Sequence, residues 1–200
     1  SEEMEKYVSA IARRCGELVE ISQGRTFILF TSYALMDQVY DRLQHLSSKL
    51  SLLRQGEIPT GQMIRRFKET PGVIFGTNSF WQGVDIPGDA LKSVIITKLP
   101  FDVPSEPLTE ARIEDLRRRS IDPFSQYQIP RAIIQMKQGF GRLIRKQSDT
   151  GIISILDSRI IHRGYGKQFL DSLPSCRVVE SLSQVRKFLS KLKNTVAVKE

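Results

Sequence analysis

Between residues 2 and 22, apolar side chains fall at Met4, Val8, Ile11, Ala12, Cys15, Leu18 and Val19, the three-and-four spacing of a helix with one buried stripe. Gln23-Gly24 stops it, as a glycine after the last periodic position does. Residues 25–30 are a short apolar run bounded by Gly24 and by Thr31-Ser32, which predicts a buried strand. Ser32 is placed to cap a second helix with Leu35, Met36, Val39, Tyr40 and Leu43 on its inner face. Residues 50–53 form a weaker strand pattern, and Thr60 can cap a short helix through Phe67 that turns Arg65, Arg66 and Lys68 outward. Pro71-Gly72 turns the chain into a buried strand at 73–75, a loop fills 76–88, and 93–97 makes a further strand. Pro100, Pro104 and Pro107 keep the next segment irregular until Leu108. Helices are predicted over 108–120, ending in Arg117-Arg118-Arg119, and over 130–145; a strand follows at 151–156. A short helix carrying Phe169 and Leu170 is stopped by Pro174, a last strand is predicted at 177–179 and a last amphipathic helix at 182–193. The tail after Asn194 is expected to fray.

Strands alternate with helices, and the strands are apolar on both faces. That pattern predicts an α/β fold, a mostly parallel sheet with helices on both sides, in one domain over residues 1–200. Such sheets hold ligands beyond the carboxyl ends of their strands. Thr31-Ser32 and segments 77–85, 98–101 and 157–159 all follow strands, so their polar residues are expected along one edge. A formal charge of +8 suits a polyanionic partner, nucleic acid or nucleotide. No stretch approaches a membrane span, and the acidic, then amphipathic, first twenty residues lack the pattern of a secretory leader. A cytoplasmic location is expected. Cys15 and Cys176, the two cysteines, are too few to hold an iron–sulfur cluster, which needs four ligands; both are expected to be free, buried thiols.

The segment richest in chemistry is Gln138-Gly139-Phe140-Gly141-Arg142-Leu143-Ile144-Arg145. On a continuous helix Gln138, Arg142 and Arg145 project from one face. Gly139 and Gly141 each cost a helix roughly 1 kcal/mol relative to Ala, which suits a place where a ligand or another backbone comes close. Two forked guanidiniums and an amide form a surface for phosphate oxygens; the alternative is a solvated basic helix end. No Gly-x-x-x-x-Gly-Lys-Ser/Thr loop and no Asp-Glu-x-His segment occurs in the chain. A nucleoside triphosphatase needs such a loop for phosphates and such a carboxylate for magnesium.

The octapeptide resembles motif VI of superfamily-2 helicases, Gln-x-x-Gly-Arg-x-x-Arg. The segments Ser79-Phe-Trp-Gln-Gly-Val-Asp85, Lys98-Leu-Pro-Phe101, Asp157-Ser-Arg159 and Tyr165-Gly-Lys-Gln-Phe-Leu-Asp-Ser-Leu-Pro174 are similar, in that order, to DinG-type helicases, relatives of XPD. The resemblance runs from about Gly24 to Pro174. It implies a RecA-like domain, the second of two in an ATP-dependent helicase, acting on single-stranded DNA. ATP and Mg2+ would be held mainly by a first RecA-like domain absent from this chain. In Gram-positive DinG relatives the chain often begins with an exonuclease domain.

The resemblance assigns Arg142 and Arg145 to the γ-phosphate, with Gln138 positioning a phosphate, the attacking water or a carboxylate. Asp85 resembles the motif V acid that meets ribose hydroxyls or a coupling network; a loop cap or ion pair is the alternative. Gly83 and Gly141 would let the nucleotide come close. Gln82 stands where the family usually has Glu, so a carboxylate role there is in doubt. Thr31, Ser32, Thr77, Asn78 and Ser79 suit a DNA backbone but are also ordinary cap and turn residues. Phe80 and Trp81 are candidates for base stacking, with at least one expected in the core. Asp157 and Arg159 are expected to form a structural ion pair, Arg163, Tyr165 and Lys167 to line the nucleic-acid side, and Arg117 to Arg119 to be a solvated helix end. Two other readings remain open from the residues: a basic nucleic-acid-binding module without a motor, and half of an RNA helicase.

Overall fold

A computed structural model describes residues 2–77, 80, 90–144 and 149–196, without the side chains of Arg142 and of residues 192–196. Helix α1 (Glu2–Ser22) leads into strand β1 (Thr26–Phe30), followed by α2 (Tyr33–Arg42), β2 (Ser51–Arg54), α3 (Thr60–Glu69), β3 (Gly72–Thr77) and β4 (Ser93–Ile96). Then come α4 (Pro107–Arg118), α5 (Ile129–Leu143), β5 (Ile152–Ile155), α6 (Arg159–His162), α7 (Gly166–Asp171) and α8 (Leu182–Val196). The five strands form one sheet in the order β2-β3-β1-β4-β5, and all four pairings are parallel.

Strand periodicity divides the core in two. Phe27 and Leu29 of β1, Ile74 of β3, and Val94 and Ile96 of β4 point to one face, where α3, α5, α6 and α7 supply Met63, Phe67, Ile129, Ala132, Met136, Leu143, Ile160 and Phe169. Ile28 and Phe30, Val73 and Phe75, and Ile95 point to the other, against α1, α2 and α8. Alternate residues of a strand face opposite ways, so a strand covered on both sides must be apolar throughout. All five side chains of β1 are buried. The left-handed turn at Gln23, Gly24 and Arg25, with φ of 57°, 76° and 50°, takes α1 directly into this central strand. Ser22 closes the corner by hydrogen bonding Thr26 at 2.7 Å.

The predicted stripe of α1 is buried except for Met4, which is 53% exposed. Residues 177–179 do not form a strand: segment 176–180 has no regular structure, and Val178 is 72% exposed. Cys176 is exposed rather than buried, whereas Cys15 is buried, and burial pushes the Cys15 thiol up. The helix predicted over 130–145 ends earlier. Its last residue is Leu143, and Ile144 is extended, with φ −114° and ψ 101°. Leu143 is buried beside Gly151, where an added Cβ would lie 2.7 Å from the leucine methyls; anchoring Leu143 at the start of β5 redirects the chain there.

Helices α6 and α7 pack at the residue that joins them. A Cβ on Gly166 would overlap the carbonyl oxygen of Ile160, so only glycine lets the two helices meet. Gly166→Ala is expected to destabilise the chain by about 1–3 kcal/mol, the usual penalty for overpacking, seen as a lower urea midpoint at unchanged slope. An unchanged midpoint would show that the two helices separate freely.

Candidate functional site

Because the strands run in parallel, their carboxyl ends share one edge. Phe30 pairs with Thr77, Phe75 with Arg54, and Ile96 with Ile155. The exit from β1 runs to one face through α2, and the exit from β4 leads to the other through α5. Adjacent exits in opposite directions open a crevice at the strand ends, the usual ligand position in such sheets. Ser32 caps α2, its hydroxyl accepting the Leu35 N–H at 3.3 Å, and its own proton remains available to donate. Thr31 is half-buried beside it.

Thr77 departs from expectation. It is buried, and its N–H and hydroxyl both donate to the side-chain oxygen of Gln55, at 2.7 and 3.0 Å. It therefore holds the start of its loop rather than offering those donors to a ligand. Phe80 is buried as well and meets Phe27 edge-on at 5.5 Å, so it is a core residue and not a stacking surface. Gly76 makes this possible: a Cβ there would lie 2.9 Å from Phe80 and 3.0 Å from Phe27. Asn78, Ser79, Trp81, Gly83 and Asp85 lie outside the described residues.

At the ends of β4 and β5 the organising group is Asp157, only 8% exposed. Its carboxylate accepts the Leu99 N–H at 2.8 Å, the Arg159 N–H at 3.0 Å and the Arg159 guanidinium at 2.6 Å. Burial pushes this carboxyl up, but Arg159 and the two backbone donors outweigh it and hold it below the ordinary range. Arg159 also lies over the ring of Phe101, 5.4 Å from its centroid. Phe101, Phe124, Tyr165 and Phe169 form one aromatic cluster, so the Tyr165 ring is packed against neighbours, while Arg163 and Lys167 are exposed. Lys98 places its ammonium 4.9 Å from the Tyr7 ring, and burial, with Asp157 nearby, pushes the Tyr7 phenol up to about 12.

Helix α5 begins at this edge. Asp102 accepts from Arg131 and, at 2.5 Å, from Gln135. Arg131, Gln135, Gln138 and Arg142 recur at i, i+4, i+7 and i+11, which puts all four positions on one stripe. The helix then runs back along the sheet to Leu143 at the amino end of β5. Gln138 and Arg142 thus lie toward the opposite end of the helix from the strand-end edge, with Arg142 about 16 Å along the axis from Arg131 at the helical rise. Gln138 is exposed, and a Cβ on Gly141 would meet no atom of the described residues within 4 Å. Arg145 lies outside the described residues, beyond the extended Ile144. Gln55 and Asp102 carry no motif in the sequence. Gln55 follows a weak strand, and Asp102 meets Arg131 only in the fold; the stripe on α5 was the one signal available.

Asp157→Ala is expected to destabilise the chain by about 1–3 kcal/mol, because the buried Leu99 N–H loses its acceptor. Asp157→Asn separates charge from shape. A carboxyl held below its unfolded value, about 3.9, stabilises the fold above that pH, and its contribution fades as pH falls through the lowered native value. The gap in melting temperature between wild type and Asp157→Asn should be constant near neutrality and close in acid below about pH 4. A gap independent of pH would contradict this reading.

The model of the helicase C-terminal domain matches residues 15–176. The chain is 48% identical over 173 residues to the ATP-dependent DNA helicase YoaA of Haemophilus influenzae, covering 86% of this chain and 27% of that protein. It is 41% identical to the ATP-dependent DNA helicase DinG of Photobacterium profundum, covering 88% of this chain and 26% of that protein. It is 38% identical to the 3'-5' exonuclease DinG of Bacillus subtilis, covering 88% and 19%. It thus spans about a quarter of its relatives' length or less. Among solved structures, an XPD helicase superposes with a TM-score of 0.63 at 19% identity, over 89% of this chain and 32% of that one; the likeness supports the RecA-like fold. Domain 2 of the DEAD-box helicase Mss116p gives 0.53 at 13% identity, over 88% and 60%. With its five-stranded parallel sheet and its motif-bearing helix in place, the chain belongs to the helicase C-terminal domain family of DinG-, YoaA- and XPD-like ATP-dependent DNA helicases.

Proposed function

We propose that this chain is the second RecA-like domain of a motor that couples ATP hydrolysis to movement along single-stranded DNA. In this reading Arg142 and Arg145 reach the γ-phosphate of ATP bound mainly by a first domain, and Gln138 positions a phosphate, the attacking water or a carboxylate. The observation that carries it is the stripe on α5. Its first turns are fixed to Asp102 through Arg131 and Gln135, and toward its far end it carries an exposed Gln138 and the position of Arg142.

Residues that suit DNA and residues that suit ATP then occupy different places. Thr31, Ser32 and the start of α2 lie at the strand-end edge, where a helix start favours phosphate. Gln138 and Arg142 lie at the other end of α5. Where they fit, guanidiniums supply positive charge as the transferred phosphoryl group develops its own. Magnesium and the phosphate loop belong to the first domain, since this sequence contains neither motif for them. Asp85 and Gly83, which follow Thr77 in the sequence, are proposed to meet the ribose or a coupling network. The exonuclease named for the Bacillus relative extends the proposal to a parent protein fused to an exonuclease domain.

In the complete protein, Arg142→Ala and Arg145→Ala should each lower kcat for ATP by about 10²-fold or more, with a far smaller change in nucleotide affinity. Arg→Lys should rescue poorly, since a point charge does not reproduce the fork. Steady-state ATPase, DNA affinity and melting temperature measured on the same preparations decide it. Normal folding with near-normal kcat in both variants would remove the assignment. The 200-residue chain alone should release no phosphate from ATP and should bind single-stranded DNA weakly, with affinity falling steeply as salt rises. Robust turnover by the chain, or tight binding indifferent to salt, would contradict the reading.

A further inference from the structure

Asp102 lies in the irregular segment after β4 and belongs to none of the motif segments, yet its carboxylate is nearly enclosed, with 11% of the side chain exposed. It accepts from the Arg131 guanidinium and from the Gln135 amide, which stand one turn apart on α5. The residue before it holds the approach to the same helix. Phe101 stacks on Phe124 at 5.7 Å, the rings 21° apart. Phe124 opens the wide turn 124–128, where the Ile129 N–H reaches back to the Phe124 carbonyl. Asp122 fixes that turn by accepting the Phe124 and Ser125 N–H groups, both at 3.1 Å. Phe101 also lies under Arg159, the partner of Asp157. Two consecutive residues thus join the exits of β4 and β5 to the start of α5.

The contacts on α5 constrain it in different ways. Ile129, Ala132 and Met136 are buried on its inner side. An apolar stripe decides which face of a helix turns inward, but apolar burial has no direction and resists a small slide along the axis only weakly. A carboxylate bonded to two side chains one turn apart resists it strongly. Such a slide lengthens one bond as it compresses the other, and hydrogen bonds weaken steeply outside a narrow range of distance and angle; the bond to a guanidinium is also among the stronger kinds. Asp102 therefore sets the axial position of α5. With it go the positions of Gln138 and Arg142, about two and three turns beyond Arg131.

We propose that Asp102 is a positioning residue for phosphoryl transfer, holding α5 through Arg131 and Gln135 where Gln138 and Arg142 meet the nucleotide. It touches no substrate itself. The inference rests on the motor reading above and adds to it the residue that decides where the arginine-bearing helix stands. Positive charge helps the transferred phosphoryl group only when aligned with it, and a misplacement of about 1 Å is enough to cost about 10²-fold in rate.

The test uses the complete protein that carries this domain. Asp102→Asn keeps the shape, removes the charge and sets an amide donor against donors. Arg131→Ala breaks the same contact from the helix side. Each should lower kcat for ATP by about 10-fold or more, with KM for ATP and nucleotide-free affinity for single-stranded DNA unchanged, since the nucleotide is bound mainly by the first domain. A double-mutant cycle separates positioning from stability. In an Arg142→Ala background Asp102→Asn should lower kcat far less than it does in the wild type, because the main group that it places is already gone. A purely structural Asp102 would lower kcat by the same factor in both backgrounds, in step with the folded fraction that melting curves on the same preparations report. That equal factor would overturn the proposal, and so would wild-type kcat in either single variant. If Arg142→Ala itself turns over normally, the arginine assignment of the motor reading fails and this inference with it. If Arg142→Ala loses turnover while Asp102→Asn and Arg131→Ala match the wild type, only this inference fails.

Discussion

Five strands hydrogen-bonded in parallel and covered on both faces oblige every connection to leave from one edge and return to the other. The backbone groups in the sheet are satisfied by neighbouring strands, and its side chains are committed to two cores. Polar chemistry is therefore confined to the strand ends and the outer helix faces. The features of this chain with chemical interest obey that division. Thr31, Ser32, Gln55, Thr77, Lys98 and Asp157 follow strands, and the Arg131-to-Arg142 stripe lies on a covering helix.

Within the carboxyl edge, side chains act chiefly on backbone. Asp157 takes the Leu99 N–H, Gln55 takes the Thr77 N–H, and Ser32 takes the Leu35 N–H. Each satisfies a donor that would otherwise be left where a strand or helix begins or ends, and a buried unpaired donor is costly. These bonds shape three separate connections: the turn into α2, the start of the loop after β3, and the segment leading to Phe101. The edge is accordingly preorganised in the chain itself, which is what a binding surface needs if ordering is not to oppose binding.

Helix α5 connects that edge to a different place. Its first turns are fixed by Asp102, and its last residue is held against Gly151 at the opposite end of the sheet. A rigid helix with fixed ends can relay a shift at one end to the other. The separation of strand-end residues from Gln138 and the Arg142 position gives the domain two polar regions rather than one.

Much of the fold was legible from residue order. Unbroken apolar runs at 26–30 and 72–77 and the helical stripes of α1, α2 and α5 follow from periodicity alone, because burial on two faces or on one stripe leaves a direct mark on composition. The motif residues Gln138, Gly141 and Arg142 were equally visible, since a local pattern on one helix needs no partner to be recognised. Other features required the folded chain. Residues 177–179 look like a strand, but they pair with neither edge of the sheet, and Val178 stays exposed. Phe80 resembles a stacking residue until Gly76 and Phe27 define the space that it fills. Thr77 resembles a ligand contact until Gln55, remote in sequence, takes both its donors. Periodicity records which side of an element is buried; which polar groups meet depends on strand order and register, and these are set by packing between segments far apart in the chain.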